Sequence, residues 1–252
     1  MKRLLPFLFL SLLFSVSAPV RAQETFREVW IADRLSVGLG FGISSLTDNH
    51  RRADKESGYT YVGFVNALED EHAAFFVPEV AWWAARNLRL LLSFDHVEGH
   101  TRNYNNHRSD GTVRLRGPLF EAQCIFPMLG DTLFPRVGVG AAWETAKFRS
   151  ETWWKLGWYS EDEYEANAKP GKAKSGYFRE IRVDDVLAWT VSAGVSWRPA
   201  PRVQLDATLR HVWAEPKCEY GEYKEKTGYR REFGGKFWLD HLTAVVSASY
   251  VF

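Results

Sequence analysis

Seven ionic side chains carry most of the chemistry open to the middle of this chain: Glu79, Asp95, Glu121, Arg136, Glu144, Asp206 and Arg210. Each falls on the polar phase of a stretch in which apolar residues recur at every second position. Ionic groups gathered in a narrow space must pair or stay wet. They therefore point to a structural ion network or, if the pairs rearrange, to a gated proton or ion path. The turn at 127–131 permits a register that sets Glu121 close to Arg136 on neighbouring strands. Arg210 reaches acids from several strands. A second set could act as general bases: His96, His100, His107, His211, and Asp240-His241 followed by Thr243. Such chemistry needs an imidazole within hydrogen-bond reach of a hydroxyl or an acid. His211, on an apolar face near a strand end, reads most simply as an interface residue. Cys124, in a strand, and Cys218, in a loop, fall towards opposite ends of the eight-strand topology, so no disulfide is expected, and no zinc-type spacing occurs.

The elements that must hold these groups are strands. Residues 242–252 read LTAVVSASYVF, with Leu242, Ala244, Val246, Ala248, Tyr250 and Phe252 on one face. A period of two over eleven residues marks a half-buried strand. Residues 34–43 alternate without error: Leu35, Val37, Leu39, Phe41 and Ile43 face one way, Ser36, Gly38, Gly40 and Gly42 the other. Glycine at successive inward positions fits a place where backbones crowd or where neighbouring side chains fill a narrow lumen. Six more strands follow at about 72–84, 88–98, 113–126, 133–145, 186–198 and 202–214. Pro78 predicts a bulge or local irregularity in the first of these.

Seven connections join the eight strands. Those at 85–87, 127–131 and 199–201 are short; those at 44–71, 99–112, 146–185 and 215–239 are long, polar and read as loops. They alternate strictly, as in an antiparallel up-and-down barrel. The 146–185 stretch mixes charge with Trp153, Trp154, Trp158 and Tyr159, as binding surfaces do; Trp153 and Trp154 read equally well as an extension of the fifth strand. On the apolar face, Trp82, Phe126, Trp197, Tyr250 and Phe252 lie near the short turns. Phe76, Phe94, Trp143, Trp189 and Trp213 lie near the long loops. Two aromatic girdles flanking an apolar band are expected where a barrel meets both membrane boundaries. A secreted lipocalin-like barrel would reverse the two faces.

The first 22 residues have the build of a cleaved signal peptide: Lys2 and Arg3, an apolar run over 4–16, and Val20-Arg21-Ala22 as cleavage site. Residues 23–33 would then be a short periplasmic segment and 34–252 the barrel. The 252-residue chain has 32 Lys+Arg against 31 Asp+Glu. Losing the leader removes three basic residues and leaves a net charge of −2. Nothing in that balance suggests nucleic acid.

This pattern resembles the small eight-stranded outer-membrane barrels: the OmpA-like transmembrane domain, OmpX, OmpW and the opacity-type proteins. The Gly-alternating first and fifth strands and the terminal Phe252 carry the resemblance, which extends over nearly the whole chain beyond the leader. It implies an all-β, eight-stranded antiparallel transmembrane barrel in the outer membrane of a Gram-negative bacterium, in contact with outer-membrane lipid and lipopolysaccharide. It also implies that Tyr250 and Phe252 form the signal read by the barrel-assembly machinery. The expected role is structural or surface-interacting, with an unidentified extracellular ligand. The alternative is a narrow channel for small or hydrophobic solutes of the OmpW kind, with a lateral opening in the wall. No cofactor, metal or catalytic residue is expected. No Ser is paired with a His at the spacing of the lipid A deacylases, so an outer-membrane enzyme is a lesser reading, as is the soluble binder.

Overall fold

The computed structural model describes residues 34–47, 66–103, 109–126, 128, 132–167 and 172–252. The expected leader and 23–33 segment, His107 and most of the 127–131 turn lie outside them. Twelve strands are present among the described residues: β1 (Leu35–Leu46), β2 (Asn66–Glu71), β3 (Ala73–Ala85), β4 (Leu88–Asn103), β5 (Ser109–Ile125), β6 (Leu133–Ser150), β7 (Tyr177–Val183), β8 (Val186–Ala200), β9 (Val203–Trp213), β10 (Lys217–Lys224), β11 (Tyr229–Lys236) and β12 (His241–Val251). Eight of them pair antiparallel with their neighbours in chain order, β1-β3-β4-β5-β6-β8-β9-β12. The circle closes where β12 pairs with β1, from Ser36↔Val251 to Leu46↔His241. The result is a closed eight-stranded antiparallel barrel, which abolishes free sheet edges.

The faces are inside out relative to a soluble barrel. Leu39, Phe41, Leu92, Phe120, Val137, Leu209 and Val246 stand exposed on the outer wall, while Arg89, Glu121, Gln123, Glu144 and Arg210 are fully buried inside. All ten girdle aromatics lie on the outer wall, from Phe76 (72 % exposed) and Trp189 (63 %) to the half-buried Trp82 and Phe94. A continuous apolar belt of this size is far beyond the patches that water-soluble monomers carry. The lipocalin-like reading is therefore excluded by the arrangement of the wall.

The inward glycines sit where strands crowd. A Cβ on Gly140 would lie 2.8 Å from Glu121 Cγ and closer still to the Phe120 carbonyl oxygen; one on Gly40 would lie 2.7 Å from Ser247 Cβ. Gly140→Val is expected to cost about 1–3 kcal/mol through overpacking, read as a lower urea midpoint in detergent. Gly234→Ala, which meets open space, should stay within about 0.5 kcal/mol of wild type.

Three stretches expected as loops are folded. The end of the 44–71 stretch is β2, which pairs with β4 from Asn66↔Asn103 to Glu71↔Glu98. The 215–239 stretch is the hairpin β10–β11, and β7 from the 146–185 stretch joins it as a three-stranded sheet. Trp153 and Trp154 do not extend a strand. They lie on a one-turn helix, α1 (Thr152–Lys155), and are buried. A second helix, α2 (Glu161–Asn167), follows. Lys174 pairs with Glu163 on α2, holding that carboxyl below the usual range, and stands 4.0 Å from the centre of the Tyr159 ring.

Candidate functional site

Three layers fill the barrel. At the short-turn end Trp83, Ile125 and Phe134 form a small apolar cluster, with the Arg198 guanidinium 4.7 Å from the Trp83 ring centre. The ionic layer lies above it. At the long-loop end the interior turns apolar again: Leu46, Leu68, Val97, Val113, Leu115 and Val212 of the walls meet Trp153, Trp154, Leu156, Trp158 and Phe237 of the connections. These rings cap the barrel because strands β4, β5 and β6 run on beyond the outer girdle and give them walls to pack against.

All seven predicted ionic residues point inward, and two more join them. Arg89 grips Asp206 with both ends, Nη1 to Oδ1 at 3.2 Å and Nη2 to Oδ2 at 3.4 Å. Arg136 also pairs with Asp206, at 2.7 Å, and donates to Thr208 and Ser196. Gln204 donates to the same carboxylate at 2.9 Å. Arg210 Nε donates to Glu121 at 2.9 Å, and its Nη1 lies 3.9 Å from Asp95. Glu79 accepts from Ser247 at 2.6 Å. Asp95 accepts from Thr243 at 3.2 Å, and its other oxygen lies 2.7 Å from Nε2 of the fully buried His241.

The expected Glu121–Arg136 pair does not form. The register of β5 and β6 puts Glu121 opposite Gly140, while Ile125 faces Arg136. Each charge instead finds its partner across the lumen, Glu121 on β9 and Arg136 on β9 as well. Arg89 already shared the inward phase of Leu91, Ser93 and Asp95, so alternation alone marks it as part of the network. His241 precedes an alternating strand by one residue and continues its inward phase through Thr243. His96 stays on the outer side, 2.9 Å from Glu98, and His100 lies 3.1 Å from Thr112. His211 stacks edge-on against Trp213 on the outer wall, with ring centres 4.4 Å apart. Both cysteines are free, Cys124 half-buried and Cys218 buried. Burial pushes the Cys218 thiol up to about 12.

The wall itself has a break. The β3–β4 ladder runs from Ala85↔Leu88 to Val80↔Leu92 and stops. Pairing to β4 resumes only at Glu71↔Glu98, on β2. Eight residues, 72–79, thus bow past five, 93–97. Pro78, with no N–H to donate, sits within the bowed segment. On its other side β3 stays in register with β1 through Leu39↔Pro78. The irregularity expected at Pro78 is therefore one-sided. Pro118 makes a milder gap: the β5–β6 ladder skips Gly117 and Pro118, yet the register is the same above and below, from Arg116↔Thr145 to Leu119↔Ala142. Of the two proline gaps, only the one at Pro78 carries extra chain. Phe75 stands in it, half-buried, edge-on to His96 with ring centres 5.5 Å apart.

An up-and-down circle of eight strands, a charged interior and an apolar outer wall between two aromatic rings decide the comparison. The chain has the fold of the small outer-membrane β-barrels. It superposes on the crystal structure of the outer membrane protein OprG from Pseudomonas aeruginosa with a TM-score of 0.64 at 10 % identity, covering 88 % of this chain and 97 % of that one. The outer membrane protein AlkL, solved in lipid bilayers by solid-state NMR, gives 0.50 at 11 % identity over 94 % and 96 %. No protein-family model and no curated protein sequence matches the chain. At such identities the likeness is one of fold.

Proposed function

We propose that this is an outer-membrane barrel of a Gram-negative bacterium that gives small apolar molecules a sideways route into the membrane, and not a water-filled pore. The observation that carries this reading is the break between β3 and β4. It lies at the level of the outer girdle residues Phe76 and Phe94, where the interior changes from ionic to apolar. Below it Arg89, Arg136 and Arg210, each spanning to an acid on another strand, obstruct a path along the axis, as expected in a barrel of this strand number. Above it the walls and cap are lined by the side chains an apolar solute would meet. The outer wall is fitted to lipid and to the lipopolysaccharide leaflet. Phe252, whose N–H bonds to Leu35 at 3.0 Å beside the closing seam, would be the signal that the assembly machinery reads.

The test pairs two measurements on one protein. Cells displaying the barrel should take up a small apolar dye such as N-phenylnaphthylamine faster than cells lacking it. The purified barrel in planar bilayers should give no stable conductance steps. Steady ohmic steps would mean an open axial pore and would sink this reading. Unaltered dye uptake would favour a second one: the folded β7–β10–β11 sheet as a surface for an extracellular ligand, with a shallow cleft among Glu180, Arg182, Glu219, Tyr223, Lys224 and Arg230.

A further inference from the structure

Where the ionic layer meets the apolar cap, Asp95 of β4, Glu144 of β6 and His241 of β12 converge. One ligating atom from each lies within 4.8 Å of the others, and all three side chains are fully buried. From this convergence we infer a divalent transition-metal site built from one imidazole and two carboxylates.

Four observations support it. First, the local charge is unbalanced. Arg89 and Arg136 are matched by Asp206 and Glu79 in the lower part of the network. In the upper part three carboxylates, Asp95, Glu121 and Glu144, meet one guanidinium, that of Arg210. When the three acids are ionised and His241 is neutral, the state a ligating imidazole needs, two negative charges remain, which a single divalent ion cancels. Second, both oxygens of Glu144 are buried with no hydrogen-bond donor in reach among the described residues. A carboxylate so placed strongly calls for a cation or a proton. Third, His241 is oriented as metal-binding imidazoles are. Its Nδ1–H donates to the Leu239 carbonyl at 2.7 Å, leaving Nε2 aimed at the two acids. Fourth, the spacing is close to what an ion needs. Nitrogen and oxygen ligands at roughly 2.1 Å from a shared ion lie about 3–3.4 Å apart, and His241 Nε2 and Asp95 Oδ2 are already at 2.7 Å. The remaining separations lie within 4.8 Å.

The donor set selects the ion. Imidazole with carboxylates suits Zn²⁺, Mn²⁺, Fe²⁺ or Co²⁺, whereas Mg²⁺ and Ca²⁺ favour all-oxygen cages. Asp95 is held for the task by Thr243 on one oxygen. The next inward residues towards the loops, Val97, Ala146 and Leu239, belong to or pack on the apolar cap, so the site is enclosed above and binding should be slow.

The probe is Co²⁺, added to the folded barrel in detergent after stripping with EDTA and equilibrated for hours. One equivalent should produce visible d–d absorption, displaced by one equivalent of Zn²⁺. Glu144→Gln should weaken binding by about tenfold or more, since even outer-shell losses typically cost 10–100-fold, and His241→Gln should abolish the band. His96→Gln, on the outer side of the wall, should leave it unchanged. If His241→Gln fails to fold, the wild-type stoichiometry and Glu144→Gln still decide. No band with the wild-type protein would mean that protons alone hold the three groups together, and would overturn the site. A band that survives both Glu144→Gln and His241→Gln would place the metal elsewhere and overturn it equally. Dye uptake plays no part in this readout, so the site stands or falls separately from the sideways route.

Discussion

Arg210→Ala is expected to remove about 3–5 kcal/mol of stability, the cost of breaking a buried ion pair by deleting one partner. The guanidinium is fully buried and is the one Arg or Lys side chain among the described residues that pairs with Glu121, at 2.9 Å, and Asp95, at 3.9 Å. Without it Glu121 keeps Gln123, at 2.8 Å, and Ser192, at 3.1 Å, as donors but has no charge to offset its own. The measurement is urea unfolding in detergent, followed by the gel shift between unboiled and boiled samples. A double substitution, Arg210→Ala with Glu121→Gln, should recover part of the loss, because it removes the stranded charge along with its partner. Arg89→Ala should behave differently. Asp206 would still hold Arg136, Ser196 and Gln204, so its loss should fall nearer about 1–3 kcal/mol, that of hydrogen bonds to a charge that keeps other donors. Equal small effects for both arginines, within about 0.5 kcal/mol of wild type, would mean that the interior is wet and that the network does not hold the barrel.

Much of this was legible in the chain because a two-sided wall imposes a period of two on every strand. Alternation found the eight strands and put Glu79, Asp95, Glu121, Arg136, Glu144, Asp206 and Arg210 on one face. Partnership was not legible. Glu121 and Arg210 are 89 residues apart and Arg89 and Asp206 are 117 apart. Which inward groups meet depends on the tilt and stagger of the closed sheet, which no single strand records. The pairing inferred from the 127–131 turn failed because the register across that turn sets Glu121 opposite Gly140 and Arg136 opposite Ile125. The folded connections were hidden for a different cause. Beyond the outer girdle both faces of β2, β10 and β11 carry polar residues, and the apolar set that defines a core is split among Trp153, Trp154, Trp158 and Phe237 on separate segments. His241 was obscured by its place at a strand end, where a residue of a rim and a residue of a core look the same.

The break beside Pro78 makes the second large effect. Phe75→Ala is expected to speed entry of the small apolar dye, because the half-buried Phe75 ring is what stands between the bowed segment and β4. Its own contribution to stability is roughly half that of a fully buried phenylalanine, about 1.5–2.5 kcal/mol, so the barrel should remain folded and heat-modifiable. The converse change is a clamp. Phe75→Cys with His96→Cys places two thiols where the rings now meet, on opposite sides of the break, and a short bifunctional maleimide should tie them. Cys124 is replaced by alanine in this background; Cys218 can stay, since its buried thiol, pushed up to about 12, is poorly reactive. Cross-linking should bring dye entry down to the rate of cells without the protein, and the untied double-cysteine form should behave as Phe75→Ala does. The contrast between the two proline gaps sharpens the result. A disulfide-sized clamp across the in-register gap at Gly117-Pro118 should change nothing, because no extra chain bows there and the Trp143 carbonyl already fills the space beside Gly117. If tying Phe75 to His96 left entry untouched, the bow between β3 and β4 would be a feature of the wall alone, and the folded sheet above the barrel would become the surface to pursue.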